Sequence, residues 1–300
     1  MDLTALQLTA GIDTFEVVAD VQLDQEPTGV RNMGTRPQTK THGKQWRYKV
    51  TIDKYREQGS GYNLQDVLGV VAEVQQIFLA ANCQELFISR CDIRFDNFAP
   101  RAYSSYYKLN QCLLSLVAYE LKIPNRYGSI DPLTGELKSI CIGKNKNNDR
   151  QAEYYNKAAQ KPELGISARL ELRSIQRSID LLLPFDGFAE SLAAEWFDIL
   201  RSAANKSVFT ALKADINKHL IANYNDKMFT GKLEYIAYNG LRIYDRQQAR
   251  DISAALGASE RNGGNFFANR PAQQQITIDD IRAYIDILEQ SAIEFFDERQ

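Results

Sequence analysis

The chain predicts an α+β fold: an antiparallel or mixed sheet with helices packed on one face, in two β-α-β-type units, then a mainly helical C-terminal region. Three observations lead there. Several short segments alternate charged and apolar residues at the period of a strand, two longer stretches between them repeat apolar residues at helical spacing, and beyond about residue 178 the strand pattern stops.

In chain order, residues 13–20 read as a strand, and residues 25–43 as a polar, turn-rich loop. That loop carries Arg31, Arg36, Lys40 and, just beyond it, Lys44. It reads either as a basic arm that orders on a phosphate backbone or as a solvated hairpin loop. Residues 45–53 alternate Trp46, Tyr48, Val50 and Ile52 against Arg47, Lys49 and Thr51, a half-buried strand. Asn63 is a cap candidate for a helix carrying Leu64, Val67, Leu68, Val71, Val74, Ile77 and Phe78 on one side. A strand over 86–96 and a second helix over 104–121 follow, the latter ended by Pro124. Residues 131–135 make a turn, and strands are expected over 137–143, 151–157 and 168–175. The helical region begins at residues 181–200, includes a short strand or turn at 240–244 and helices over 247–256 and 278–296, and loosely fits a helix-turn-helix around Gly257. These changes divide the chain into residues 1–178 and 179–300, the second part being open to a recognition or oligomerisation role.

Composition narrows the class. At 44% hydrophobic and 25% charged residues, the chain resembles an ordinary soluble protein. No run of about 18 apolar residues predicts a membrane span, and Met1-Asp2-Leu3-Thr4 lacks the start of a signal peptide. Cys83, Cys91, Cys112 and Cys141 show no Cys-x-x-Cys spacing, which argues against zinc or a disulfide framework and for a reduced, cytoplasmic setting. Residues 31–178 hold 23 Lys and Arg against 14 Asp and Glu; the rest hold 13 against 24, so +9 and −11 give the chain's −2. A basic half that carries the motifs suits a polyanion-binding domain.

The chemistry concentrates in three segments. Residues 89–96 place Asp92, Arg94 and Asp96 on one strand face, and residues 169–173 do the same for Arg169, Glu171 and Arg173. The two histidines, His42 and His219, are far apart, so a His-x-His metal site is excluded; a phosphate loop and a serine elbow are missing too. Any catalytic metal would therefore rest on carboxylates, with Asp92 and Glu171 brought together by strand pairing around Mg²⁺ or Mn²⁺. Arg169 or Arg94 would clamp a phosphate oxygen. The competing reading is a cross-strand salt-bridge ladder on a solvated face. Tyr154 and Tyr155 stand next to Lys157, which shares the strand face of Tyr155 and would favour its phenolate. The preceding basic turn, with Lys144, Lys146 and Arg150, suits a phosphate backbone.

This arrangement resembles the replication initiation proteins of rolling-circle plasmids in the Rep_trans group, related in pattern to conjugative relaxases and phage initiators. The family signature is met in order by Arg90, Asp92 and Asp96, by Ile142-Gly143 with the basic turn, by Tyr155-Asn156-Lys157, and by Arg169 and Glu171. The resemblance implies a nickase that cuts one strand of origin DNA, single-stranded or in a hairpin, through a covalent 5′-phosphotyrosine, leaving a 3′-hydroxyl primer. It implies Tyr155 as nucleophile with Tyr154 in reserve, Asp92, Glu171 and Asp96 as metal ligands, and Lys157 and Arg169 as stabilisers of phosphate or tyrosinate. Arg94, Arg173, Arg36, Lys40, Lys44 and the basic turn would contact DNA. A host helicase and a homodimer are the partners expected of an initiator. The chain departs from the family where an acid often follows the Tyr-x-Lys, having Ala158-Ala159-Gln160, so that either Glu163 substitutes or the ligand set differs. Tyr244 sits in a copy of the tyrosine motif but in the wrong order, and reads as structural. A relaxase or phage initiator with the same chemistry, a hydrolytic metal nuclease, and a non-catalytic DNA-binding regulator remain as alternatives.

Overall fold

The computed structural model describes residues 2–36, 43–55, 63–123, 126–130, 137–143, 149–180, 185–205, 207–208 and 276–297. Eight strands form one sheet: β1 (Leu8–Ala19), β2 (Val30–Arg36), β3 (Gln45–Thr51), β4 (Leu86–Asn97), β5 (Arg126–Ile130), β6 (Leu137–Ile142), β7 (Arg150–Asn156) and β8 (Ala168–Asp180). Their order is β2-β3-β1-β4-β8-β7-β6-β5. Every neighbouring pair is antiparallel, which resolves the expectation of an antiparallel or mixed sheet. The helices are α1 (Ile52–Tyr55), α2 (Leu64–Ala80), α3 (Ala102–Glu120), α4 (Phe185–Ala203) and α5 (Ile278–Asp297). Connection through α2 carries the chain from β3 over β1 to β4, and α3 carries it from β4 to the far edge at β5. These are the two expected β-α-β-type units, with β1 filling the gap in the first and β6, β7 and β8 the gap in the second.

The helix over 64–80 forms for the reason its sequence suggests. The Asn63 side chain accepts from the Asp66 N–H at 3.0 Å, and the Asp66 carboxylate accepts from the Asn63 N–H at 3.1 Å, a capping box. Its apolar side, with Val67, Val70, Val74 and Phe78, joins a core that also takes Leu113 and Val117 of α3, Trp196 of α4 and Ile285 of α5. Strand residues Ile12, Phe15, Ile93, Phe95, Leu170 and Leu172 supply the other side of that core. Among the described residues the Gln111 amide of α3 is buried without a hydrogen-bond partner, while two aromatic residues there are paired. The Trp196 indole N–H donates to Ser174 Oγ at 3.0 Å, and the Tyr284 hydroxyl donates to Asn110 Oδ1 at 3.2 Å. All four cysteines are free and buried.

Several boundaries differ from the sequence reading. β1 begins at Leu8, β8 runs on to Asp180, and the chain turns helical at Ile52 rather than staying extended to 53. Residues read as a polar loop contain β2, and β5 had no counterpart in the sequence reading. Both are edge strands. An edge strand is held mainly by backbone hydrogen bonds to one neighbour, so its side chains need not alternate. β2 also breaks register between Asn32 and Thr35, where Gly34 has φ 89°. The candidate strand or turn at 240–244, the helix over 247–256 and the helix-turn-helix around Gly257 lie outside the described residues, as do Pro124 and the turn at 131–135.

Candidate active site

The face of the sheet away from that core is polar, and alternation puts the candidate residues there together. Asp92, Arg94 and Asp96 on β4 stand opposite Arg173, Glu171 and Arg169 on β8. β7 then places Gln151, Glu153 and Tyr155 opposite the same three β8 residues. Asp92, Arg94 and Asp96 are each 1% exposed, Arg169 0% and Glu171 4%. A ladder of opposite charges has therefore formed, but it is buried rather than solvated. Ions removed from water are tolerated only when paired and hydrogen-bonded.

The pairing is dense. Arg90 grips Asp92 with both ends of its fork, Nε to Oδ1 at 2.7 Å and Nη2 to Oδ2 at 2.5 Å, and reaches Glu16 at 3.0 Å. Arg169 grips Asp96 in the same way, at 2.5 and 3.0 Å, and also donates to Asp13. Arg94 Nη1 lies 3.2 Å from Asp96 and 3.5 Å from Asp53 of α1. Arg173 donates to Glu171 Oε2 from Nη2 at 2.5 Å and from Nε at 3.1 Å, and to Glu153 at 2.8 Å.

Asp13, Glu16, Asp53 and Glu153 belong to this network and were not among the residues singled out from the sequence. Asp13 is an extra residue in β1, inserted where register slips between Ile12 and Thr14. Such a bulge re-aims a side chain. Its trace in the sequence is the pair Asp13-Thr14 interrupting an apolar–polar alternation. Burial works against the Asp13 carboxylate, yet Arg169, then Arg94 and Lys157, together with the Thr14 hydroxyl, hold its pKa below the ordinary range.

Tyr155 and Tyr154 point to opposite faces. The Tyr155 hydroxyl donates to Glu171 Oε1 at 2.5 Å, and the Lys157 Nζ lies 5.7 Å from the Tyr155 ring centroid. Burial, and then the Glu171 charge, push the Tyr155 phenol well above its usual pKa, with Arg169 pulling the other way. Among the described residues, the Lys157 ammonium makes no ion pair and no hydrogen bond; the Tyr155 ring is its neighbour. Burial and Arg169 lower the pKa of Lys157 against the pull of Asp13, Asp53 and Glu171. Tyr154 does not join this group. It lies in the core, stacks on Tyr103 at 5.4 Å, and donates to the carbonyls of Ala102 and Tyr103 at 3.2 and 3.3 Å.

The three expected metal ligands can be tested oxygen by oxygen. Both oxygens of Asp92 accept from Arg90, both of Asp96 accept from Arg169, and Glu171 accepts from Tyr155 on Oε1 and from Arg173 on Oε2. Arg173 Nε also lies 3.7 Å from Asp92 Oδ2, so its guanidinium stands between Asp92 and Glu171. Among the described residues, no three His, Cys, Asp or Glu side chains converge as an ion's ligands. Mg²⁺ requires close oxygen ligands in near-octahedral array. As these carboxylates stand, they do not fit it. Burial pushes the Asp92 carboxyl up to about 6, while Arg90 and Arg173 pull it down.

Of the expected DNA contacts, Arg94 and Arg173 are committed to the network above. Arg150 pairs with Glu195 of α4, and Lys44 is exposed, its Nζ 5.0 Å from the Trp46 ring centroid. Arg36 ends β2 at the sheet edge. Lys40, Lys144 and Lys146 lie outside the described residues, as does Tyr244. Gly143, which opens the basic turn, has φ 74°, and a Cβ there would meet the Arg150 carbonyl oxygen at 2.3 Å. Only glycine fits that position.

No family model matches the chain, and no curated protein matches it. Among solved structures the chain is similar to a rolling circle replication initiator protein from Geobacillus stearothermophilus, with 13% identity and a TM-score of 0.30, over 57% of this chain and 76% of that one. At that distance, the reading of the face rests on its own residues. No described helix is long and apolar enough to cross a membrane.

Proposed function

We propose that this protein is a replication initiator of the rolling-circle type, whose charged sheet face nicks and rejoins one DNA strand through Tyr155. The observation that carries this reading is the Tyr155 phenol, hydrogen-bonded to Glu171 and flanked by an ammonium that has no carboxylate partner among the described residues. A phenol at its ordinary pKa near 10 is a weak nucleophile, and it needs an adjacent base to take its proton. Glu171 is in that position, and Arg173 orients it from the other side. Attack by the phenol oxygen on a phosphodiester would form the Tyr155–phosphorus bond and break the bond to the 3′-oxygen. That leaves a 5′-phosphotyrosine and a 3′-end able to prime synthesis. Tyr154, facing the core, has no part in it.

DNA is the substrate in this reading because residues 31–178 carry a net +9. A single strand or hairpin loop suits a phenol that is only 6% exposed better than a duplex does. No step here passes through Mg²⁺ or Mn²⁺. A divalent ion would enter between Asp92 and Glu171 only after Arg173 moves aside.

A second reading is favoured by one observation, the pairing of all three expected ligand carboxylates with arginines: a DNA-binding regulator without catalysis. One experiment separates the two. The full chain is incubated with a random-sequence pool of single-stranded DNA and Mg²⁺, denatured, digested and examined by mass spectrometry. A nucleotide on the peptide containing Tyr155, absent in Tyr155→Phe and retained in Tyr154→Phe, is expected. DNA retained without any covalent adduct would sink the nickase reading.

A further inference from the structure

The reaction proposed above needs a second proton transfer, and the sheet face has a group suited to it. An alkoxide is a poor leaving group, so the departing 3′-oxygen needs a proton in the transition state. Among the described cations of the face, Arg90, Arg94, Arg169 and Arg173 are all paired with carboxylates at 2.5–3.2 Å. A guanidinium, moreover, does not release its proton in proteins. Lys157 differs on both counts. Its ammonium is a dissociable acid on a flexible four-carbon stem, it has no carboxylate partner among the described residues, and it lies over the ring of the attacking tyrosine.

We propose that Lys157 is the general acid that protonates the leaving 3′-oxygen during nicking, and the base that takes that proton back during rejoining. This rests on Tyr155 being the nucleophile. In the forward step the phenol proton passes to Glu171, the tyrosine oxygen bonds to phosphorus, the P–O3′ bond breaks, and a Lys157 N–H proton goes to the 3′-oxygen. The amine left behind is neutral and Glu171 is protonated. In rejoining, the amine takes the 3′-hydroxyl proton, the 3′-oxygen attacks phosphorus, and the departing tyrosine oxygen recovers its proton from Glu171. Each proton returns to where it began, so one pair of groups serves both directions.

The surroundings of Lys157 support the role. Burial and the Arg169 charge make its proton easier to release than that of an exposed lysine. Asp13, Asp53 and Glu171 face it with the opposite effect and keep it from losing the proton outright. A purely electrostatic Lys157, one that only steadies a phosphate or phenolate, would predict that any cation of similar reach suffices. An acid predicts that a non-dissociating cation fails.

A bridging sulfur separates these roles, because a thiolate leaves without a proton. The substrate is a single-stranded oligonucleotide of known sequence that forms the Tyr155 adduct when supplied alone, made with either oxygen or sulfur at the scissile 3′ position. Adduct formation is timed under single-turnover conditions for the full-length chain and for Lys157→Gln and Lys157→Arg. Circular dichroism confirms folding, and Lys157→Arg suffices if the glutamine variant does not fold. Both variants are expected to slow the oxygen substrate by about 10²–10⁴-fold, yet to cut the sulfur substrate within about tenfold of the unsubstituted chain. Equal slowing on both substrates, or an arginine variant at full rate on oxygen, would overturn the general-acid role while leaving Tyr155 in place. An adduct surviving in Tyr155→Phe would overturn the nucleophile assignment and the inference with it.

Discussion

Asp13 and Arg173 show how much of a charged site depends on neighbours that are distant in sequence. Asp92, Asp96, Arg169 and Glu171 were legible because simple alternation within a strand puts them on one face. Asp13 was not, because its place depends on a bulge that only the pairing of β1 with β4 reveals. The orientation of Tyr154 was likewise settled by packing on Tyr103, although the period of two already set it opposite Tyr155. The sequence predicts Arg173 as a DNA contact, yet it is the group standing between the two carboxylates expected to share an ion. If its guanidinium occupies that place, removing the charge while keeping a polar side chain frees Glu171 Oε2 and leaves Asp92 with Arg90. Arg173→Gln should therefore bind Mn²⁺ more tightly than the unsubstituted chain, by about tenfold or more if one buried charge repulsion near 1.4 kcal/mol is relieved. Electron paramagnetic resonance of free Mn²⁺ during titration measures this without any turnover. Equal affinity in the two proteins would show that Arg173 does not block the position.

At the scale of elements, β1 constrains the ionic face from its place inside the sheet. It lies between β3 and β4, and Gly11 is opposite Arg94. The Arg94 guanidinium lies across the strand at that point: a Cβ on residue 11 would sit 2.9 Å from Nε and 3.3 Å from Nη2. The far end of an arginine usually swings away cheaply. Here it is held within ion-pair distance of Asp96 and Asp53, so movement disturbs two buried carboxylates. Gly11→Ala should cost about 1–3 kcal/mol, the range for overpacking a filled site, read as a lower urea midpoint at unchanged slope. A midpoint within error of the unsubstituted chain would mean that Arg94 has another place to go. Elements with strong local signals were legible: α2 by its capping box, β4 and β8 by alternation. The edge strands β2 and β5 were not, since main-chain pairing with one neighbour leaves little trace in side-chain order.

For the whole molecule, the division of charge and the division of structure do not coincide. Residues 31–178 carry +9 and the remainder −11, yet α4 and α5 of the acidic part pack in the same apolar core as the strands of the basic part. Among the described residues, α2 to α5 pack in the core on one side of the sheet and the ionic network lies on the other, where Asp53 of α1 reaches it. Much of that positive charge is internally committed, as the four arginines of the face show. The charge free to displace counterions is therefore less than the sequence count implies. Exposed cations such as Lys44 should dominate the salt dependence, while buried ones such as Arg169 contribute little to it. Binding of a single strand weakens with salt at a slope of about 0.7 per phosphate neutralised. Lys44→Ala should lower that slope by about 0.7 and weaken binding alike for every sequence tested. Arg169→Ala should leave the slope nearly unchanged while destabilising the fold by about 3–5 kcal/mol, because Asp96 and Asp13 lose their partner inside the protein. Fluorescence anisotropy of a labelled oligonucleotide across a salt series measures the first effect and urea unfolding the second. A slope that fell with Arg169 but not with Lys44 would show that the buried arginine, and not the exposed lysine, neutralises a phosphate.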